Sequence, residues 1–118
     1  MPRSARARSG AAAEAAAAAF LAERGLSLIR ANYRCRFGEI DLVLRDGATL
    51  VFAEVRLRTR SEFGGAAGSI DARKRARIIA AARHYLAGKP EVPCRFDAVL
   101  LDRLAPPRIE WIRDAFSA

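Results

Sequence analysis

The stretch GEIDLVLRDGATLVFAEVR, residues 38–56, contains two β-rich runs, EIDLVLR (39–45) and ATLVFAEVR (48–56), separated by Asp46-Gly47. Asp-Gly is favoured in two-residue hairpin turns, so the runs are expected to form an antiparallel hairpin. If Arg45 lies opposite Ala48, then Asp41 faces Phe52 and Glu39 faces Glu54. Alternation places Ile40, Leu42, Leu44, Val51, Ala53 and Val55 on one apolar face, which must pack on another layer. The other face carries Val43, Leu50 and Phe52 near the turn, and Glu39, Asp41, Glu54 and Arg56 towards the open end.

Outward from the hairpin, the Ala-rich residues 11–24 predict a helix, begun by Ser9 or Gly10 and ended by Gly25. Residues 26–33 read as a strand. Residues 61–68, with Gly64, Gly65 and Gly68, read as a loop. Ser69 or Asp71 caps a second helix that reaches about residue 87, with Ile78, Ala82, Tyr85 and Leu86 on one side and Gly88 just beyond its end. After a break at Pro90 and Pro93, residues 96–101 form a strand. Pro106-Pro107 precede a short strand at 109–112. The order α-β-β-β-α-β-β predicts a single α/β domain over residues 10–118, behind a flexible basic leader at 1–9.

With 118 residues and 52% hydrophobic content, the chain can bury a core and is not a disordered basic tail. No run approaches the ~20 apolar residues of a membrane span, so no membrane association is expected. Arg3, Arg6 and Arg8 before the Ala run resemble a targeting peptide, but Glu14 interrupts the run. Cys35 and Cys94 form no zinc-type spacing and are expected as free thiols in the cytoplasm. The formal charge is +8, and of 21 cations only Lys74 and Lys89 are Lys. Arg suits phosphate binding, although coding bias explains the Arg excess about as well. His84 is expected to pack or cap, and Tyr85 and Trp111 to belong to the core.

Three carboxylates at one hairpin end are destabilising unless compensated. Two readings stay open at this point: a solvated edge paired with neighbouring Arg residues, or a bound divalent metal such as Mg²⁺, which prefers carboxylate oxygens.

The segment at 38–56, with FGG at 63–65, Lys74-Arg75, RFD at 95–97, Gly10 and Glu14 in a G-x-x-x-E spacing and the closing Ala115-Phe116, resembles the YraN family of small bacterial proteins. That family is similar to Holliday-junction resolvases of the restriction-endonuclease-like PD-(D/E)xK superfamily. The resemblance implies a central mixed β-sheet with flanking helices in α-β-β-β-α-β order. It implies metal-dependent endonuclease activity on DNA, branched DNA included, with Mg²⁺ or Mn²⁺ as cofactor and a homodimer as one form.

By position, the resemblance makes Asp41 and Glu54 the catalytic metal-binding carboxylates, with the Val55 carbonyl a further ligand. Glu14 matches a glutamate on the first helix, and Glu39 is the extra acid of the GEID motif. Arg56 stands where the superfamily has its catalytic Lys. It can stabilise phosphorane charge but, as a guanidinium, it is a poor proton acceptor. Leu57 also departs from the pattern, whereas Arg58 fits it. The alternative on the same fold is a catalytically inactive nucleic-acid-binding or partner-recruiting module. Arg58, Arg60, Arg73, Lys74, Arg75 and Arg77 are expected to contact the phosphate backbone without reading sequence, Arg73 and Arg77 sharing one helix face.

Overall fold

The hairpin forms with a different register from the one read off Asp46-Gly47. In the computed structural model, which describes residues 5–57 and 70–118 (backbone only at 5–9, 103 and 104), strand β2 (Gly38–Asp46) pairs antiparallel with β3 (Thr49–Leu57). Asp46 pairs with Thr49, Val43 with Phe52 and Leu42 with Ala53. The turn residues are therefore Gly47 and Ala48. Gly47 has φ +60, as the first position of a type II′ turn demands. The predicted register is two residues off, and Phe52 lies opposite Val43 instead of Asp41.

One predicted face position also changes. Regular pairing ends at Leu42↔Ala53, and beyond it the Val55 N–H donates to the Asp41 carboxylate at 2.8 Å. Ile40 consequently packs with Val43 and Phe52 instead of with Leu42 and Leu44.

The sheet has five strands in the order β1-β2-β3-β4-β5, where β1 is Ser27–Cys35, β4 is Cys94–Leu104 and β5 is Pro107–Phe116. Only β3 and β4 are parallel, and helix α2 (Ala72–Leu86) lies between them in the chain. The sheet is thus mixed, with flanking helices in the expected element order. Both edges run longer than predicted, because β5 in particular is a largely exposed strand whose charged residues hide its extent.

Helix α1 (Ala5–Glu23) begins before residue 11, so its first turns lie where the sequence suggests a leader. Its buried stripe, Ala13, Ala17 and Leu21, recurs every four residues and rests on Leu42, Leu44, Val51 and Val99. Gly25, at φ +92, ends it: the Leu26 N–H reaches the Leu21 carbonyl and the Gly25 N–H that of Ala22, the Schellman arrangement. Helix α2 covers the opposite face through Ile78, Ala81 and Ala82, against Val43, Phe52 and Phe96. Asp71 caps it, accepting from the Lys74 N–H at 2.8 Å. Among the described residues no helix is long and apolar enough to cross a membrane.

Candidate functional site

Where β2 and β3 part, α2 crosses above them and leaves an open cleft of about 480 Å³, lined by Glu39, Asp41, Glu54, Asp71, Arg73, Lys74, Arg77 and Ile78. Gly38 explains how the helix comes this close. A Cβ at Gly38 would meet the Arg77 carbonyl oxygen at 2.6 Å, so the first residue of the GEID motif must be glycine for α2 to sit over the acids.

Asp41 is 8% exposed and Glu54 5% exposed. Burial, and then the charge of Glu54, push the Asp41 carboxyl up to about 8; the Val55 N–H opposes this, while Glu14 and Glu39 add to it. Glu14, reaching in from α1, is itself raised, first by burial, and its side chain is hydrogen-bonded to Asn32. The four acids expected from the sequence thus share one electrostatic neighbourhood. Asn32 was not anticipated; an Asn in mid-strand, here at φ 55, is the signal that could have marked it.

The cations are placed less uniformly. Lys74, expected on phosphate, instead bonds Glu54 Oε1 at 3.0 Å, and this contact was not legible in the sequence. Arg73 and Arg77 line the cleft. Arg75 is not among the residues lining the cleft, and its Nε donates to the Ile70 carbonyl at 2.7 Å. Glu39 is held by Arg34 Nε at 2.7 Å. Arg56 follows Glu54 by two residues on β3 and lies beside Leu100 of β4. Arg58 and Arg60, like the loop at 61–68, lie outside the described residues.

Residues 13–101 match the uncharacterised protein family UPF0102. The chain belongs to that family. It is the YraN family that the GEID and EV segments resemble. A UPF0102 protein of Methylobacillus flagellatus is 57% identical over 106 residues, covering 90% of this chain and 94% of the relative. One from Nitrosomonas europaea is 57% identical over 108 residues, covering 91% and 92%, and one from Xanthomonas campestris 51% over 115 residues, covering 95% and 93%. The UPF0102 relatives are bacterial and similar along nearly their whole length, and their names assign no activity.

Whether the UPF0102 site suits a metal turns on its donors. Carboxylate oxygens are the ligands that Mg²⁺ and Mn²⁺ select, and Asp41 and Glu54, both lining the cleft, supply them. As the side chains stand, the Lys74 ammonium occupies one Glu54 oxygen. Among the described residues no three His, Cys, Asp or Glu side chains are gathered closely enough to hold an ion.

Proposed function

We propose that this chain is a nuclease-like protein that binds DNA, branched DNA included, and hydrolyses its phosphodiesters with the help of Mg²⁺ or Mn²⁺. The reading rests above all on two acids, Asp41 and Glu54, buried side by side in a cleft that Arg73, Lys74 and Arg77 also line, where burial and then the charge of Glu54 push the Asp41 carboxyl up to about 8. A buried carboxyl raised by desolvation and by a specific charged neighbour inside a cleft is a functional-site candidate. A cation between Asp41 and Glu54 would relieve their repulsion.

Asp41 and Glu54 would hold the ion, with the Val55 carbonyl as a further ligand and Glu14 and Glu39 flanking. When bound, such an ion lowers the pKa of a coordinated water and stabilises phosphoryl charge. The chain's own groups do the rest. Arg73 and Arg77 bind the flanking phosphates, beside the electropositive start of α2. Lys74 is the amine beside Glu54, brought there by α2 instead of β3. Freed from Glu54, it can orient the attacking water or meet the phosphate oxygens. The reading places the protein in the cytoplasm, where the free thiols Cys35 and Cys94 stay reduced.

The Lys74–Glu54 ion pair also favours a second reading, in which Lys74 permanently replaces the metal and the domain binds nucleic acid without turnover. Cleavage assays with Mg²⁺ or Mn²⁺ on linear, single-stranded and four-way-junction DNA separate the two. Hydrolysis is expected from the unmodified chain and should vanish in Asp41→Asn and Glu54→Gln. Binding without cleavage by both the unmodified chain and Arg56→Lys would leave the inactive module. Cleavage gained only in Arg56→Lys would locate the defect at that residue.

A further inference from the structure

Around the outer end of α2 lies a second assembly that the acid site does not use. The β1–β2 turn presents Phe37, which is 42% exposed although it is a large apolar side chain. Its ring centroid is 5.7 Å from that of His84, which packs against it on α2 while remaining exposed to solvent. The Tyr33 hydroxyl is hydrogen-bonded to His84 Nδ1, and the Tyr33 ring lies 5.2 Å from that of Tyr85. Tyr85 in turn meets the buried Phe52 edge-on at 5.9 Å, so the exposed rings are braced against the core.

Each of the outer rings except His84 carries a cation. Arg36 Cζ lies 4.8 Å from the Phe37 centroid, Arg30 Cζ 5.0 Å from that of Tyr33, and Lys89 Nζ 4.5 Å from that of Tyr85. Among the described residues none of the three is paired with a carboxylate. A group of aromatic rings, each with an unneutralised cation over it, offers the two features that a single strand uses: π-faces for its bases and positive charge for its phosphates.

The position relative to the cleft strengthens the assignment. Phe37 adjoins Gly38, which lies against the Arg77 backbone, and Glu39 lines the cleft itself. His84 is seven residues beyond Arg77 on α2, about 10 Å along the helix axis. A strand whose phosphate reached Arg73 and Arg77 would carry its neighbouring bases over Phe37 and His84.

We infer that Phe37, backed by His84 and Tyr33 and flanked by Arg30, Arg36 and Lys89, is a stacking platform for an unpaired nucleobase next to the acid cleft. The inference deepens the nucleic-acid reading above and rests on it. Such a platform gives the protein a preference for single-stranded or branched substrates over continuous duplex, whose bases are already stacked.

The test is equilibrium binding by full-length protein, in EDTA so that no cleavage intervenes, to fluorescent oligo-dT, oligo-U, a blunt duplex and a four-way junction. Phe37→Ala should weaken oligo-dT binding about tenfold and duplex binding less than threefold, the size expected for one base stacked on one ring. Oligo-U weakened to the same degree would show that the platform takes RNA as well; oligo-U unaffected beside weakened oligo-dT would restrict it to DNA. Phe37→Trp should retain affinity, and its added indole emission should be quenched by oligo-dT. Unchanged oligo-dT affinity in Phe37→Ala, or binding to Phe37→Trp with no change in emission, would overturn the platform and leave the acid site standing. No binding of any nucleic acid by the unmodified protein would overturn both readings together. Should Phe37→Ala fail to fold, the emission of Phe37→Trp decides alone.

Discussion

The sheet buries acids in two places, and it treats them in opposite ways. Asp97 on β4 is 0% exposed, yet every acceptor position is answered: Arg95 Nε at 3.0 Å, Trp111 Nε1 at 2.9 Å and the Asp114 N–H at 3.0 Å. Arg95 is in turn tied to Asp46 at 2.8 Å, beside the β2–β3 turn. Asp41 and Glu54 lie on neighbouring strands: Asp41 accepts from the Val55 N–H, Glu54 is paired with the Lys74 ammonium, and burial and then the charge of Glu54 drive Asp41 towards its neutral form. The first arrangement closes the sheet. The second leaves Asp41 raised by burial and by the neighbouring charge of Glu54, and on that contrast the proposed metal site rests.

The largest effect should come from breaking the closed arrangement. Asp97→Ala strands Arg95 and the Trp111 N–H, and should cost on the order of 3–5 kcal/mol in denaturant unfolding, the range for removing one partner of a buried ion pair. A loss below about 1 kcal/mol would mean that the network is not structural.

The opposite sign is expected at the open site. Because the folded-state pKa of Asp41 lies near 8, above its ordinary 3.8, folding takes up a proton there. Its contribution to stability is complete below about pH 4 and is lost as the pH rises towards 8, at up to ~1.4 kcal/mol per unit. Asp41→Asn should therefore stabilise the metal-free protein at pH 8, by on the order of 1–3 kcal/mol. Near pH 4 it should change little. Melting curves of the two proteins across this range test the divergence; parallel curves would remove the repulsion on which the comparison depends.

The smallest effect concerns what holds the site together. Asp71→Ala removes the cap whose carboxylate fixes the Lys74 N–H, and should cost ~1 kcal/mol in thermal unfolding. It should also loosen the contact between Lys74 and Glu54, readable as faster exchange of the Lys74 side-chain signals in NMR. A change in stability with no change in those signals would separate the cap from the site.

Much of the fold was legible because it follows from local rules. Alternation gave the two faces of the hairpin, and Gly25 and Asp71 marked one end of each helix. The register was not legible, because Gly47 can be the second residue of an Asp-Gly turn or the first of a Gly-Ala turn, and sequence alone does not choose between them. The reversal of Ile40 depends on the Asp41 carboxylate taking the Val55 N–H, a long-range event. The site was legible as a set of acids. That Lys74 answers Glu54, and that Arg75 does not face the cleft, depends on how α2 docks over Gly38, which no spacing in the chain encodes.

The claim that Asp41 and Glu54 await a divalent cation can be tested without any substrate. Calorimetric titration of Mn²⁺ into the protein at pH 8 should show saturable binding, and that binding should be lost in both Asp41→Asn and Glu54→Gln. Saturable binding that persists unchanged in both variants, or no binding by the unmodified protein, would contradict the claim.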